Sequence, residues 1–218
     1  MHKKSRLEER VEACGDIVKV ADLSDKNMKR AALTPEYIPF NEIFGNNNPI
    51  YLEIGCGKGK FVCEMAAKVN ADFVAVEKIS NVLIEALERA KAENIKNVYF
   101  LNCAAEVLPK YFPQGSVDRI YLNFSNPLPK EGYKKQRLTH PRFLSIYKGL
   151  LKKGGLIIQK TDDEDFYKFS VESYRQAGFE VLSVCENYLL TEEEDVETEH
   201  ERRFKDMGKH IFRVVVKV

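Results

Sequence analysis

The chain reads as an α/β protein: a mainly parallel sheet with helices on both faces and an antiparallel strand at one edge. Three observations lead there. From residue 50 onward, short apolar runs alternate with segments of helical spacing. The first run ends in a glycine-rich turn that opens a helix. The last two runs are joined by a long acidic connection with no helical crossover, which suits a hairpin-like antiparallel edge.

The elements follow in order. Residues 1–45 are polar and mixed, and read as a loosely packed N-terminal extension with helix around Leu7–Cys14. Residues 46–218 read as the folded domain. Strands are expected over Ile50–Ile54, Phe73–Glu77, Val98–Leu101, Val117–Phe124 and Gly155–Gln159, with two more over Phe179–Glu186 and His210–Val218. Phe61, Met65 and Val69 recur at four-residue intervals, so a helix follows the glycines. Val82, Leu83, Ala86, Leu87 and Ala90 form the apolar face of a second helix over Asn81–Glu93. Asp163–Ala177 reads as a third, stopped by Gly178.

Composition narrows the class. The chain has 218 residues, 44% hydrophobic and 31% charged, enough to bury one core. No apolar run approaches the ~18–20 residues of a bilayer span. The N-terminus leads into charge, so a signal peptide is not expected and a cytoplasmic location is. The five cysteines form no CxxC pair and the four histidines show no ligand spacing, so no disulfide framework and no metal are expected. The net charge of +1 hides an asymmetry. Residues 130–153 carry eight Lys or Arg against the single acid Glu131, whereas residues 191–201 carry seven acids and no Lys or Arg. The basic block follows the strand ending at Phe124, which points to an anionic substrate such as RNA. The acidic run reads as a solvent-facing loop.

Glu53-Ile54-Gly55-Cys56-Gly57-Lys58-Gly59 lies between the first strand and its helix. Glycine permits the positive φ of such a turn and close approach of a ligand, as in Rossmann-like folds. The spacing is GxGxG, neither the GxGxxG of dinucleotide binders nor a P-loop. Glu77, at the end of the second strand, is placed to accept hydrogen bonds from both ribose hydroxyls. Glu53 could accept from a ligand ammonium. S-adenosylmethionine (SAM) carries both groups and a dinucleotide lacks the ammonium, so SAM is the expected cofactor.

Asn123-Phe124-Ser125-Asn126-Pro127-Leu128-Pro129-Lys130, then Lys134-Lys135-Gln136-Arg137-Leu138-Thr139, resembles the signature of the bacterial tRNA (guanine-N7)-methyltransferases. Phe44–Pro49, Lys160-Thr161-Asp162 and Thr198-Glu199-His200-Glu201 fit the same family, so the resemblance runs unbroken from about residue 40 to 218. It implies a class I methyltransferase sheet and SAM-dependent methylation of guanine N7 in the variable loop of tRNA, by a monomer or homodimer. It also implies site residues. Glu53, Gly55, Gly57, Glu77, Ala104 and Asn126 would bind the cofactor, with Asn126 also catalytic. Lys130, Arg137, Asp162, Thr198 and Glu201 would bind substrate. The chain departs from the family's pattern where Asn126 replaces an Asp, Leu128 a Trp, Tyr133 a His, Gln136 an Arg and His200 a Tyr. At Ala104 an acid commonly stands nearby. These departures keep open a second reading, a degenerate relative that binds tRNA or SAM with little transfer. A methyltransferase of another RNA or a small molecule is a third.

The chemistry sets modest demands. Guanine N7 carries a lone pair, so its methylation removes no proton and needs no general base; positioning dominates. The purine becomes cationic, and a nearby carboxylate would stabilise that charge. Lys130, Lys134, Lys135 and Arg137 would meet phosphates. Thr198 and Glu201 would read base edges, or, as T-x-x-E, start a helix.

Overall fold

The computed structural model describes residues 3–21, 34–190 and 195–218. Its sheet is parallel through β1 (Val18–Val20), β2 (Ile50–Ile54), β3 (Asp72–Val76), β4 (Val98–Asn102), β5 (Val117–Asn123) and β6 (Leu151–Thr161). β7 (Glu180–Cys185) and β8 (Phe212–Lys217) run antiparallel, with β8 inserted between β6 and β7. Among the described residues the order is β1-β4-β3-β2-β5-β6-β8-β7. The chain winds outward from β2 in one direction and then restarts at β5 in the other. The crevice beyond the carboxyl ends of β2 and β5 is therefore the switch point where open α/β sheets bind ligands.

Both faces of the sheet are covered. α1 (Lys3–Glu12) packs Leu7 and Val11 against the core, and α2 (Phe40–Phe44) packs Phe40 against Phe112. α3 (Lys60–Lys68) and α4 (Ser80–Ala92) bury Phe61, Val62, Met65 and Leu83 against Tyr51, Phe73 and Ala75. On the other face, Leu52, Ile54, Val74 and Ile120 meet α5 (Leu108–Tyr111), α6 (Pro141–Leu150) and α7 (Glu164–Gln176). A strand buried on both sides has no polar face to alternate, which is why β2 and β3 are buried at every position.

Local chemistry sets the helix ends. Asp163 Oδ1 accepts from Phe166 N at 2.7 Å and caps α7. Gly178, at φ 73°, terminates it. Gly59 starts α3 at φ 77°, and a Cβ there would stand 2.7 Å from Ala86 Cβ. Only glycine lets the first turn of α3 pass α4 so closely.

The structure departs from the sequence expectations in three places. Residues 14–21 are not loosely packed: Cys14, Val18 and Ala21 are buried, and β1 pairs with β4. α6 was hidden within the basic block. Its Phe143, Leu144, Tyr147 and Leu150 are buried, and His140 with Pro141 starts it. The block is thereby split: Arg142 pairs with Glu106 at 2.7 Å, and Lys152 pairs with Asp118 at 2.7 Å, away from the residues that follow β5. The acidic run is not simply a solvent-facing loop, because Asp195 is buried; residues 191–194 lie outside the described residues. No helix among the described residues is long and apolar enough to cross a membrane.

Candidate cofactor and substrate site

β2 delivers the chain to the glycine turn. Gly55 N and Cys56 N both donate to Val76 O, at 2.8 and 3.0 Å, which ties the turn to the end of β3. Gly55 and Gly57 hold φ of 83° and 58°, and a Cβ on either would meet no atom within 4 Å. They border a cavity of about 220 Å³ whose wall also includes Glu53, Asn123, Phe124 and Thr198. Glu77 follows β3. Its Oε2 accepts from Gly57 N at 3.3 Å and its Oε1 from Ile79 N at 2.8 Å. Asn102 Nδ2 donates to Glu77 O at 2.8 Å, and Ser80 Oγ donates to Asn102 Oδ1 at 2.8 Å. The carboxylate is thus fixed in place, while each oxygen keeps a lone pair for a further donor. Ala104 sits beyond β4, half-buried, as the cap of the short 3₁₀ turn Ala105–Val107.

Glu53 is buried beneath the turn. Asn123 Nδ2 donates to its Oε1 at 3.0 Å, and its Oε2 has no partner among the described residues. Burial pushes the carboxyl up to about 8, opposed by the Asn123 hydrogen bond and the charge of Lys160 and reinforced by Glu77. These residues fit SAM. A buried acceptor in the cavity wall lacks a donor, and two glycines leave open the space a side chain would fill.

The loop after β5 carries two non-glycine residues in the left-handed region, Phe124 at φ 49° and Leu128 at φ 46°. Phe124 N donates to Lys160 O at 2.8 Å. Its ring stacks on His200 at 5.9 Å and packs against Phe204 at 5.7 Å, both on α8 (Glu199–Asp206). Asn126 is exposed, and its Oδ1 accepts from Leu128 N at 3.0 Å. Lys130 is exposed and Lys134 pairs with Glu131 at 2.6 Å. Arg137 is only 5% exposed.

The segment leading into α8 closes the cavity from the other side. Thr198 Oγ1 accepts from Glu201 N at 2.9 Å and caps α8. Glu201 is fully buried, with Lys160 on Oε2 at 3.0 Å and Lys205 on Oε1 at 2.7 Å. Lys160, itself buried, also reaches Asp195 Oδ2 at 2.7 Å. Tyr188 OH donates to that same oxygen at 2.8 Å. Asp162 pairs with Lys209 at 2.6 Å at the end of β6.

A family model described as "Putative methyltransferase" matches residues 47–214. The chain is 41% identical over 179 residues to the tRNA (guanine-N(7)-)-methyltransferase of Lachnoclostridium phytofermentans, covering 81% of this chain and 84% of that relative. It is 40% identical to the tRNA (guanine-N(7)-)-methyltransferase of Geobacillus sp. (strain WCH70), over 82% of each chain. The chain belongs to the tRNA (guanine-N7)-methyltransferase family. Among solved structures, the 16S rRNA methyltransferase KamB has a TM-score of 0.65 at 15% identity, covering 84% of this chain and 94% of that one, and shares the fold.

In this family member the expected residues divide into groups. Glu53, Gly55, Gly57 and Thr198 wall one cavity; Glu77 and Ala104 flank it at the ends of β3 and β4. Asn126, Lys130 and Asp162 stand outside that wall. Arg137 and Glu201 are turned inward: the carboxylate expected to read base edges is occupied by two lysines, and the helix-start reading of Thr198 matches the geometry. Sequence reasoning passed over Asn123, Asn102, Lys160 and Asp195. Asn123 opens the signature and Lys160 is a lysine inside an apolar strand, so both carried a signal. Asp195 carried none, because its burial depends on where Lys160 lies.

Proposed function

We propose that this chain transfers the methyl group of SAM to N7 of guanine in the variable loop of tRNA, and that residues 46–218 are its catalytic domain. The observation that carries this reading is the shared wall of one cavity. The glycine turn and Glu53 form one side, and Phe124 of the signature loop with Thr198 forms the other. A ligand seated on the glycines meets the signature loop directly.

SAM would supply an electrophilic methyl group. Glu77 would hold its ribose and Glu53 its ammonium, while Gly55 and Gly57 expose backbone to it. Asn126 and Phe124 would orient the base, with His200 and Phe204 backing the Phe124 ring. Lys130 and Lys135 are exposed and would meet phosphates. No residue need remove a proton, and the site relies on alignment. Asn126 keeps an oxygen for the Leu128 N–H and gives up the negative charge of an Asp. Incubation with methyl-labelled SAM and unmodified tRNA, followed by nucleoside digestion, tests the reading. Label in 7-methylguanosine is expected. No label in tRNA, with the protein folded, would overturn it.

A further inference from the structure

We propose that Arg137 is a positioning residue for methyl transfer, holding the loop that carries Asn126 from within the fold rather than meeting an RNA phosphate. The inference rests on the function proposed above.

Leu128 has a conformation that side-chain-bearing residues avoid, with φ 46°. Such a residue keeps its backbone only where the surroundings hold it. Here both of its peptide groups are held. Its N–H donates to Asn126 Oδ1 at 3.0 Å, and its carbonyl accepts from Arg137 Nη2 at 3.3 Å. The first contact belongs to the loop itself. The second ties the loop to the body of the protein.

Arg137 can do this because its own position is fixed. Its guanidinium lies over the Phe169 ring at 4.5 Å and near Phe166 at 5.8 Å, both on α7. Two residues on, Thr139 Oγ1 and Ser170 Oγ share a hydrogen bond of 2.8 Å, which fastens the following chain to the same helix. At 5% exposure the guanidinium faces rings and a carbonyl, whereas Lys130 and Lys135 nearby are exposed. Planarity matters as much as charge. The fork reaches the carbonyl while its flat face rests on Phe169, and an ammonium cannot do both.

A phosphate contact and a strut predict different behaviour. Losing a phosphate contact weakens RNA binding and lowers the slope of log affinity against log salt by about 0.7–0.9. Losing a strut lowers the rate and leaves that slope unchanged. We expect Arg137→Met to reduce single-turnover methylation at least tenfold, with tRNA affinity within twofold and the salt slope unaltered. Arg137→Lys should be as slow as Arg137→Met. Phe169→Leu keeps the charge but removes the ring beneath it, and should reproduce the slow rate; it decides the matter if Arg137→Met does not fold.

Loop anchoring can also be read without RNA. The chain contains no Trp, so Leu128→Trp creates a single tryptophan in the loop, which can be excited at wavelengths where the ten tyrosines do not absorb. Adding Arg137→Met or Phe169→Leu to it should shift the emission to the red. A reduced salt slope with unchanged emission, or full activity in Arg137→Lys, would overturn the proposal. If the parent protein methylates no tRNA, the functional reading fails, and the emission shift still decides whether Arg137 holds the loop.

Discussion

A carboxyl buried at the end of a central strand is costly to ionise, and Glu53 bears that cost beside the cofactor cavity. Its ionisation is raised from the ordinary 4.5 to about 8. Between those values the folded protein binds a proton that the unfolded chain has lost. Stability from this group is therefore full at low pH, falls as pH rises through the window, and levels off above about 8. The slope is at most about 1.4 kcal/mol per pH unit. Glu53→Gln mimics the neutral form. The variant should match the parent near pH 5 and exceed it at pH 8.5, as read from urea midpoints; a parent that gains stability across that window would contradict the assignment. Asn126 poses a different residue-scale question. Its Oδ1 makes the turn to Leu128 N, and an Asp oxygen would make the same bond. Asn126→Asp should keep the loop and add charge beside a purine that becomes cationic. A gain of ~2 kcal/mol, roughly 30-fold in single-turnover rate, is expected. An unchanged rate would place the charge away from the base.

At the scale of elements, one buried lysine joins β6 to α8 and the segment before it. Lys160 meets Asp195 and Glu201, and none of the three is open to solvent. Removing one partner of such a set leaves uncompensated charge, at a cost of about 3–5 kcal/mol. Lys160→Met should lose that much in denaturant titration and weaken SAM binding, since Thr198 and His200 line the cavity from this segment. Adding Asp195→Asn and Glu201→Gln should recover most of the loss. A single variant as stable as the parent would show that the charges are not buried together in solution.

For the whole molecule, the restart of the chain at β5 places the cofactor turn and the signature loop side by side. The opposite edge is completed from the N-terminal region. Deleting residues 1–21 would strip β1 from β4 and uncover the core surface against which Cys14, Val18 and Ala21 are buried. The expected loss is about 2–4 kcal/mol, or a melting point lower by roughly 5–15 °C, with SAM affinity unchanged within twofold. Loss of SAM binding without loss of stability would give this segment a part in the site.

Periodicity and turn chemistry act over a few residues, so the strands from β2 to β8, the helices α3, α4 and α7 and the glycine turn were legible in the residue pattern. The positive φ that Gly55 and Gly57 adopt, and the end of α7 at Gly178, are local demands readable from residue type. β1 is too short and too mixed to announce itself, and it exists because β4 offers an unpaired edge. α6 was masked by the charges on its outer face. The site divides along the same line. Glu53, Gly55, Gly57 and Glu77 stand next to the turn that signals them. The burial of Arg137, Glu201 and Asp195 was decided only by tertiary structure. A charged side chain is exposed or enclosed according to partners distant in the chain: Phe169 for Arg137, and Lys160 for the two acids. Residue type reveals that a charge is present, and packing decides whether it faces a ligand or the protein's own interior.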